Sequence, residues 1–64
     1  MLKKKYAIQA VSGDSVGGWW DSSEKRFRGY VFAEFYDGYD TALLFAKDAI
    51  KVANCTIIEI LYIE

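Results

Sequence analysis

The run from Thr56 to Glu64 constrains the fold of this sequence most strongly, because it is apolar at nearly every position. Its apolar residues are Ile57, Ile58, Ile60, Leu61, Tyr62 and Ile63. Neighbouring residues of a strand point to opposite faces of a sheet, so a strand with this composition needs cover on both sides. Only one segment of the sequence has helical periodicity, and one helix covers one face of a sheet. The second apolar face of the sheet must therefore be covered by something other than this helix.

That helix is expected from about Asp40 to Asn54, where apolar and small residues recur at helical spacing. Asp40 stands just before the periodicity begins and is a favourable residue for the N-cap. Alanines form the middle of the apolar face and allow the helix axis to lie close to a sheet: Ala42, Ala46, Ala49 and Ala53.

Three strand-like runs precede the helix: Lys4 to Val11, Gly18 to Asp21, and Phe27 to Phe35. Short polar turns separate them, which favours an antiparallel meander. The sequence therefore predicts a single small α+β domain over residues 1–64. It is a two-layer β-β-β-α-β arrangement, an antiparallel meander plus a C-terminal strand with one helix packed on one sheet face. We expect the helix to form a right-handed crossover that brings the last strand beside the first.

Composition argues against an enzyme. The sequence has one cysteine and no histidine, so it offers no internal disulfide, no zinc site of the Cys/His kind and no histidine-based catalytic triad. The Gly-rich segment from Ser12 to Gly18 lacks the spacing of a phosphate-binding loop. We therefore expect no catalytic residues, no metal and no cofactor.

The sheet face without a helix is the expected contact surface. Its candidate partner-binding residues are aromatic with one arginine at the rim: Trp20, Arg28, Tyr30, Phe32 and Tyr36. Tyr30, Phe32 and Tyr36 share strand parity, and alternation places one of the two adjacent tryptophans outside, which we assign to Trp20. Exposed tryptophans are enriched at binding hot spots.

Three covers for this helix-free face compete. The first is a second copy of the chain, giving a homodimer. The second is a different protein. The third is the protein itself, with loops and the arm from Lys3 to Lys5 folded over the face. The sequence thus predicts a non-enzymatic protein–protein interaction module that self-associates through the helix-free aromatic face.

Binding of single-stranded nucleic acid is the alternative function, because cations lie near aromatic residues of the predicted sheet. Eight basic against nine acidic residues, with a net charge of −1, weigh against it. No run is long and apolar enough for a bilayer span or a signal peptide. With Cys55 as the lone cysteine, the cytoplasm is the expected compartment.

Several short motifs give the sequence a resemblance to a known group. It resembles the short accessory proteins of phages and other mobile elements in the order of Lys5-Tyr6-Ala7-Ile8, Gly18-Trp19-Trp20-Asp21, Ala33-Glu34-Phe35 and Tyr39 through Phe45-Ala46. The resemblance implies a small interaction module, in some cases one that binds and inhibits a host protein. It implies no catalytic or ligand residues.

Overall fold

A computed structural model describes all residues from 1 to 64 and has the predicted α+β fold, with four strands in one antiparallel sheet and one α-helix. The strands lie in the order β3-β2-β1-β4. Their bounds are Leu2–Ala10 for β1, Trp19–Asp21 for β2, Arg26–Arg28 for β3 and Cys55–Ile63 for β4, with α1 at Tyr39–Ala49. The prediction of the fold class is confirmed.

The two nine-residue strands form a long ribbon. β1 pairs with β4 along their whole length, from Leu2 opposite Ile63 to Ala10 opposite Cys55. We call this pair the β1–β4 ribbon. Because all three strand pairings are antiparallel, β3 and β4 also run in opposite directions. The helix therefore does not form the parallel crossover to which the handedness rule applies, although the last strand does lie beside the first.

The predicted strand from Phe27 to Phe35 is wrong beyond Arg28. The chain leaves β3 at Gly29 and forms a 3-10 turn at Tyr30–Phe32. It then crosses β2 and rejoins the sheet at Tyr36, whose backbone exchanges two hydrogen bonds with Tyr6 at 2.7 and 2.8 Å. The apolar composition fitted a strand, but β2 is three residues long and offers no further backbone partners to β3.

The helix begins one residue earlier and ends earlier than predicted. Its N-cap is Gly38 in an extended conformation, and Asp40 lies in the first turn instead of capping it. A carboxylate in the first turn still complements the positive end of the helix dipole. Beyond Ala49 the backbone continues in tighter turns, with the N–H of Val52 bonded to the carbonyl of Ala49 at 2.9 Å.

The core lies under the helix at one end of the ribbon. Its buried residues are Ile8, Trp20, Tyr36, Ala42 and Ala49, and Phe27, Phe45 and Ile57 pack against them. The Tyr36 and Phe45 rings stack with centroids 4.7 Å apart. Ala42 and Ala49 are fully buried, so small side chains let the helix approach the sheet.

A larger side chain at the helix–sheet contact is expected to destabilise the fold. Ala42→Leu forces extra methylene groups into a site without free space and should lower the free energy of unfolding by about 1–3 kcal/mol. Leu44→Ala, on the exposed side of the same helix, is the matched control and should change it by less than about 0.5 kcal/mol. Urea denaturation followed by tryptophan fluorescence measures both. Equal effects would contradict the close approach of helix and sheet.

Candidate interaction surface

Two of the five residues predicted to bind a partner lie in the core. Trp20 is 2% exposed and Tyr36 is 7% exposed, so the assignment of Trp20 as the outward tryptophan is wrong. Gln9 pairs with Trp19, which places Trp20 opposite Ile8 on the face that carries the helix. Trp19 points to the helix-free face instead. The two tryptophans do lie on opposite faces of the sheet, as alternation predicts. The register between β1 and β2 decides which of them is buried.

The other three predicted residues come together at one corner of the helix-free face. The guanidinium of Arg28 lies 3.5 Å from the centroid of the Phe32 ring. The Tyr30 ring meets Trp19 edge to face at 5.2 Å and Phe35 at 6.0 Å. The segment from Tyr30 to Phe35 therefore covers the helix-free face of β2 and β3. The shared parity of Tyr30, Phe32 and Tyr36 is wrong, since the 3-10 turn interrupts the strand.

Glu34 connects the segment from Tyr30 to Phe35 to the turn between β2 and β3 by hydrogen bonds. Its carboxylate accepts hydrogen bonds from the backbone N–H and the hydroxyl of Ser22, both at 2.9 Å. It also accepts one from the Tyr36 hydroxyl at 2.9 Å. Burial, followed by the contact with Glu34, raises the pKa of the Tyr36 hydroxyl. The phenol therefore stays protonated and available as a donor.

Asp21 organises the same turn. Its carboxylate accepts hydrogen bonds from the N–H and hydroxyl of Ser23 at 3.0 and 2.6 Å, and from the N–H of Glu24 at 3.3 Å. Arg28 donates a further bond at 2.9 Å. The hydrogen bond from the Ser23 hydroxyl and then that from Arg28 lower the pKa of Asp21 from 3.8 to about 2. Arg28 is therefore committed to an internal ion pair.

The outer edge of β4 is unpaired. The N–H of Val11 bonds to the carbonyl of Asn54, and the N–H of Glu64 to that of Met1. Bonded and non-bonded pairs alternate in an antiparallel ladder, so the even-numbered residues of β4 turn their backbone groups toward β1. The odd-numbered residues present theirs to the outer edge: Cys55, Ile57, Glu59, Leu61 and Ile63.

One end of the ribbon lies beyond the helix. On the helix side of β4, Cys55 and Ile57 pack against the core. Farther along the same face, Leu61 is 60% exposed and Ile63 is 84% exposed. Leu2, on the paired strand β1, is also exposed. We call Leu2, Leu61 and Ile63 the bare end of the ribbon. On the helix-free side, β4 carries the half-buried apolar side chains of Ile58, Ile60 and Tyr62.

A groove of about 370 Å³ lies between α1 and the outer part of β4. Its lining is mostly apolar, with Lys47 as the charged residue: Tyr39, Leu43, Ala46, Lys47, Ile50, Cys55, Thr56 and Ile57. Burial raises the pKa of the Cys55 thiol, which keeps it protonated. The groove thus offers apolar contact area and no activated nucleophile.

The structure contains no group of three or more His, Cys, Asp or Glu residues placed to hold a metal ion. The helix falls short of the length and apolarity that a membrane crossing needs. Comparisons with known protein families, with curated proteins and with solved structures found no match. The resemblance to phage accessory proteins stays a prediction.

The low pKa of Asp21 predicts an acid-sensitive contribution to stability. Above pH 4 the carboxylate is charged whether the protein is folded or unfolded, and its native hydrogen bonds contribute in full. As the pH falls from about 4 to about 2 this contribution is lost, because the unfolded protein takes up a proton that the folded carboxylate does not bind until the pH reaches its own lower pKa. The difference in free energy of unfolding between the wild type and Asp21→Asn should therefore shrink over that window. A difference that stays constant down to pH 2, measured by urea denaturation, would contradict the bonding of Asp21.

Proposed function

We propose that this protein is a non-enzymatic protein-interaction module that associates with a second copy of itself through β4. The observation that carries the proposal is a nine-residue edge strand, apolar on both faces, with an unpaired outer edge beside an apolar groove. Exposed edges of this kind pair readily with other strands, and monomers seldom leave large apolar patches in water. A second chain at this edge would cover both.

The proposed contact surface differs from the one the sequence favours. The helix-free aromatic face loses Trp20 and Tyr36 to the core, and the segment from Tyr30 to Phe35 covers much of the rest. The bare end of the ribbon and the groove have no such internal cover. β4 is therefore the better supported surface for self-association.

A second surface supports a different protein partner as another candidate. Tyr30, Val31, Phe32 and Phe35 are adjacent in the chain or in space, and all are exposed. Such a patch fits the role of a modulator that binds a host protein, as the resemblance to phage accessory proteins implies. This role does not exclude self-association, because the patch lies over β2 and β3, away from the outer edge of β4.

Nucleic-acid binding has weaker support in the structure. The cation nearest the aromatic corner, Arg28, is bonded to Asp21. Lys3 lies 3.9 Å from a Glu64 carboxylate oxygen. Lys5 has no ion-pair partner and lies 5.6 Å from the centroid of the Tyr62 ring, but one such pair makes a small site for a nucleic-acid strand. A cytoplasmic location also belongs to the proposal, since a reducing compartment suits a lone, protonated Cys55 thiol.

A charge at the bare end of the ribbon is expected to abolish self-association. Light scattering coupled to size exclusion should give the wild type a mass approaching twice 7.3 kDa as its concentration rises from micromolar upward. Leu61→Lys should keep the protein monomeric, because the lysine would have to be desolvated in the interface. Lys4 lies opposite Leu61 on β1, but both positions are exposed and water screens the two charges, so the variant should fold.

Val31→Lys is the matched control, since Val31 is also an exposed aliphatic residue, at 85% against 60% for Leu61, but belongs to the 3-10 turn over β2. We expect it to dimerise like the wild type. A wild type that stays monomeric into the hundreds of micromolar would overturn self-association. Loss of the dimer in Val31→Lys alone would move the interface to the aromatic patch.

A further inference from the structure

We propose a specific arrangement for this dimer: two β4 strands pair antiparallel, edge to edge, about a two-fold axis at Glu59. The two four-stranded sheets then form one continuous eight-stranded sheet with both helices on the same side. This inference rests on the proposed function, because it names the geometry of the self-association proposed above. Three features of β4 lead to it.

The first feature is which residues of β4 direct their free backbone N–H and C=O groups to the outer edge. The residues with outward N–H and C=O groups are the odd-numbered ones, and an antiparallel pairing about Glu59 sets odd-numbered residues opposite one another. Cys55 then pairs with Ile63 of the partner subunit, and Ile57 with Leu61 of the partner subunit. A pairing centred on Glu59 is the register that uses the strand from Cys55 to Ile63 in full.

The second feature is the position of the helix along the ribbon. The groove lies beside Cys55 and Ile57, whereas the bare end is at Leu61 and Ile63. Antiparallel pairing therefore brings the bare end of each copy against the groove of the other, next to Leu43. A parallel pairing would set the two bare ends side by side and leave both grooves open. Only the antiparallel arrangement covers the bare end and the groove of each copy at the same time.

The third feature is the match on the helix-free side. There Ile58 lies opposite Ile60 of the partner subunit, and Thr56 opposite Tyr62 of the partner subunit. Cross-strand pairs of β-branched and aromatic residues stabilise sheets, and these pairs extend one apolar strip across both copies. Leu61 and Ile63, which are 60% and 84% exposed in the single chain, would be covered in each copy and contribute toward the total of about 1,000 Å² that a specific interface needs.

Glu59 is the one unfavourable residue in this arrangement. The two copies place their Glu59 carboxylates directly opposite each other, and like charges in that position weaken a strand pair. Charged residues on edge strands also restrict uncontrolled sheet extension. Glu59 thus limits the affinity and predicts a reversible dimer that exchanges with monomer.

Pairwise disulfide formation tests the register. Ile58 and Ile60 lie opposite each other in the non-hydrogen-bonded pairs of the proposed interface, where Cα atoms are about 4.5 Å apart, a separation that a disulfide spans. We would prepare Ile58→Cys and Ile60→Cys separately in a Cys55→Ser background of the full chain. Each would be incubated with oxidised glutathione, alone and as an equal mixture. Arg26→Cys, on the opposite edge of the sheet, is the control.

The proposal predicts a covalent dimer of the two different variants in the mixture, and little dimer in either variant alone or in the control. Strong self-linking of Ile60→Cys or of Ile58→Cys would overturn the proposed register while leaving self-association through β4 intact. Wild-type dimers by mass without any cross-link would overturn the edge-to-edge arrangement alone. A wild type that is monomeric by mass would overturn both this arrangement and the proposed self-association.

Discussion

The mismatch in length between the β1–β4 ribbon and the helix determines what the rest of the structure can bury. Nine residues of antiparallel strand extend about 30 Å, whereas eleven helical residues extend about 16 Å. One helix can therefore cover about half of one ribbon face. The core gathers under the helix around Ile8 and Ala42, and Leu61 and Ile63 extend past it into solvent. The elongated shape, 37 by 21 by 19 Å, follows from the same mismatch.

The other face of the sheet is covered without a second helix. After Arg28 the chain turns back over β2, and Tyr30 and Phe35 pack there while Tyr36 returns to the sheet beside Tyr6. Glu34 holds this path in place, because its carboxylate bonds Ser22 in the β2–β3 turn and the Tyr36 hydroxyl. Asp21 in turn bonds Ser23 within that turn and Arg28 on β3. This internal cover ends at β2 and β3. β4 remains an edge strand without a neighbour on its outer side.

Sequence patterns were sufficient for the fold class and the main elements but not for the details of the surface. Helical spacing of alanines located α1, and the apolar run after Asn54 located β4 as a strand that needs cover on both faces. Periodicity could not show that the stretch after Arg28 leaves the sheet, since aromatic residues fit a strand and a 3-10 turn equally. It also could not tell Trp19 from Trp20, which depends on the register between β1 and β2. To predict the groove and the free edge, one must know the order of the strands in the sheet, and no local sequence pattern gives that order.

The proposed self-association depends on the outer edge of β4 binding a second chain. Amide hydrogen exchange of single residues tests it most directly, because alternate amides of one strand report on its two edges. We expect the amides of Ile58 and Ile60, which face β1, to be protected in both dilute and concentrated protein. The amides of Ile57, Glu59 and Leu61 should exchange rapidly in dilute protein and become protected as concentration rises. Rapid exchange of these three amides at every concentration would contradict it.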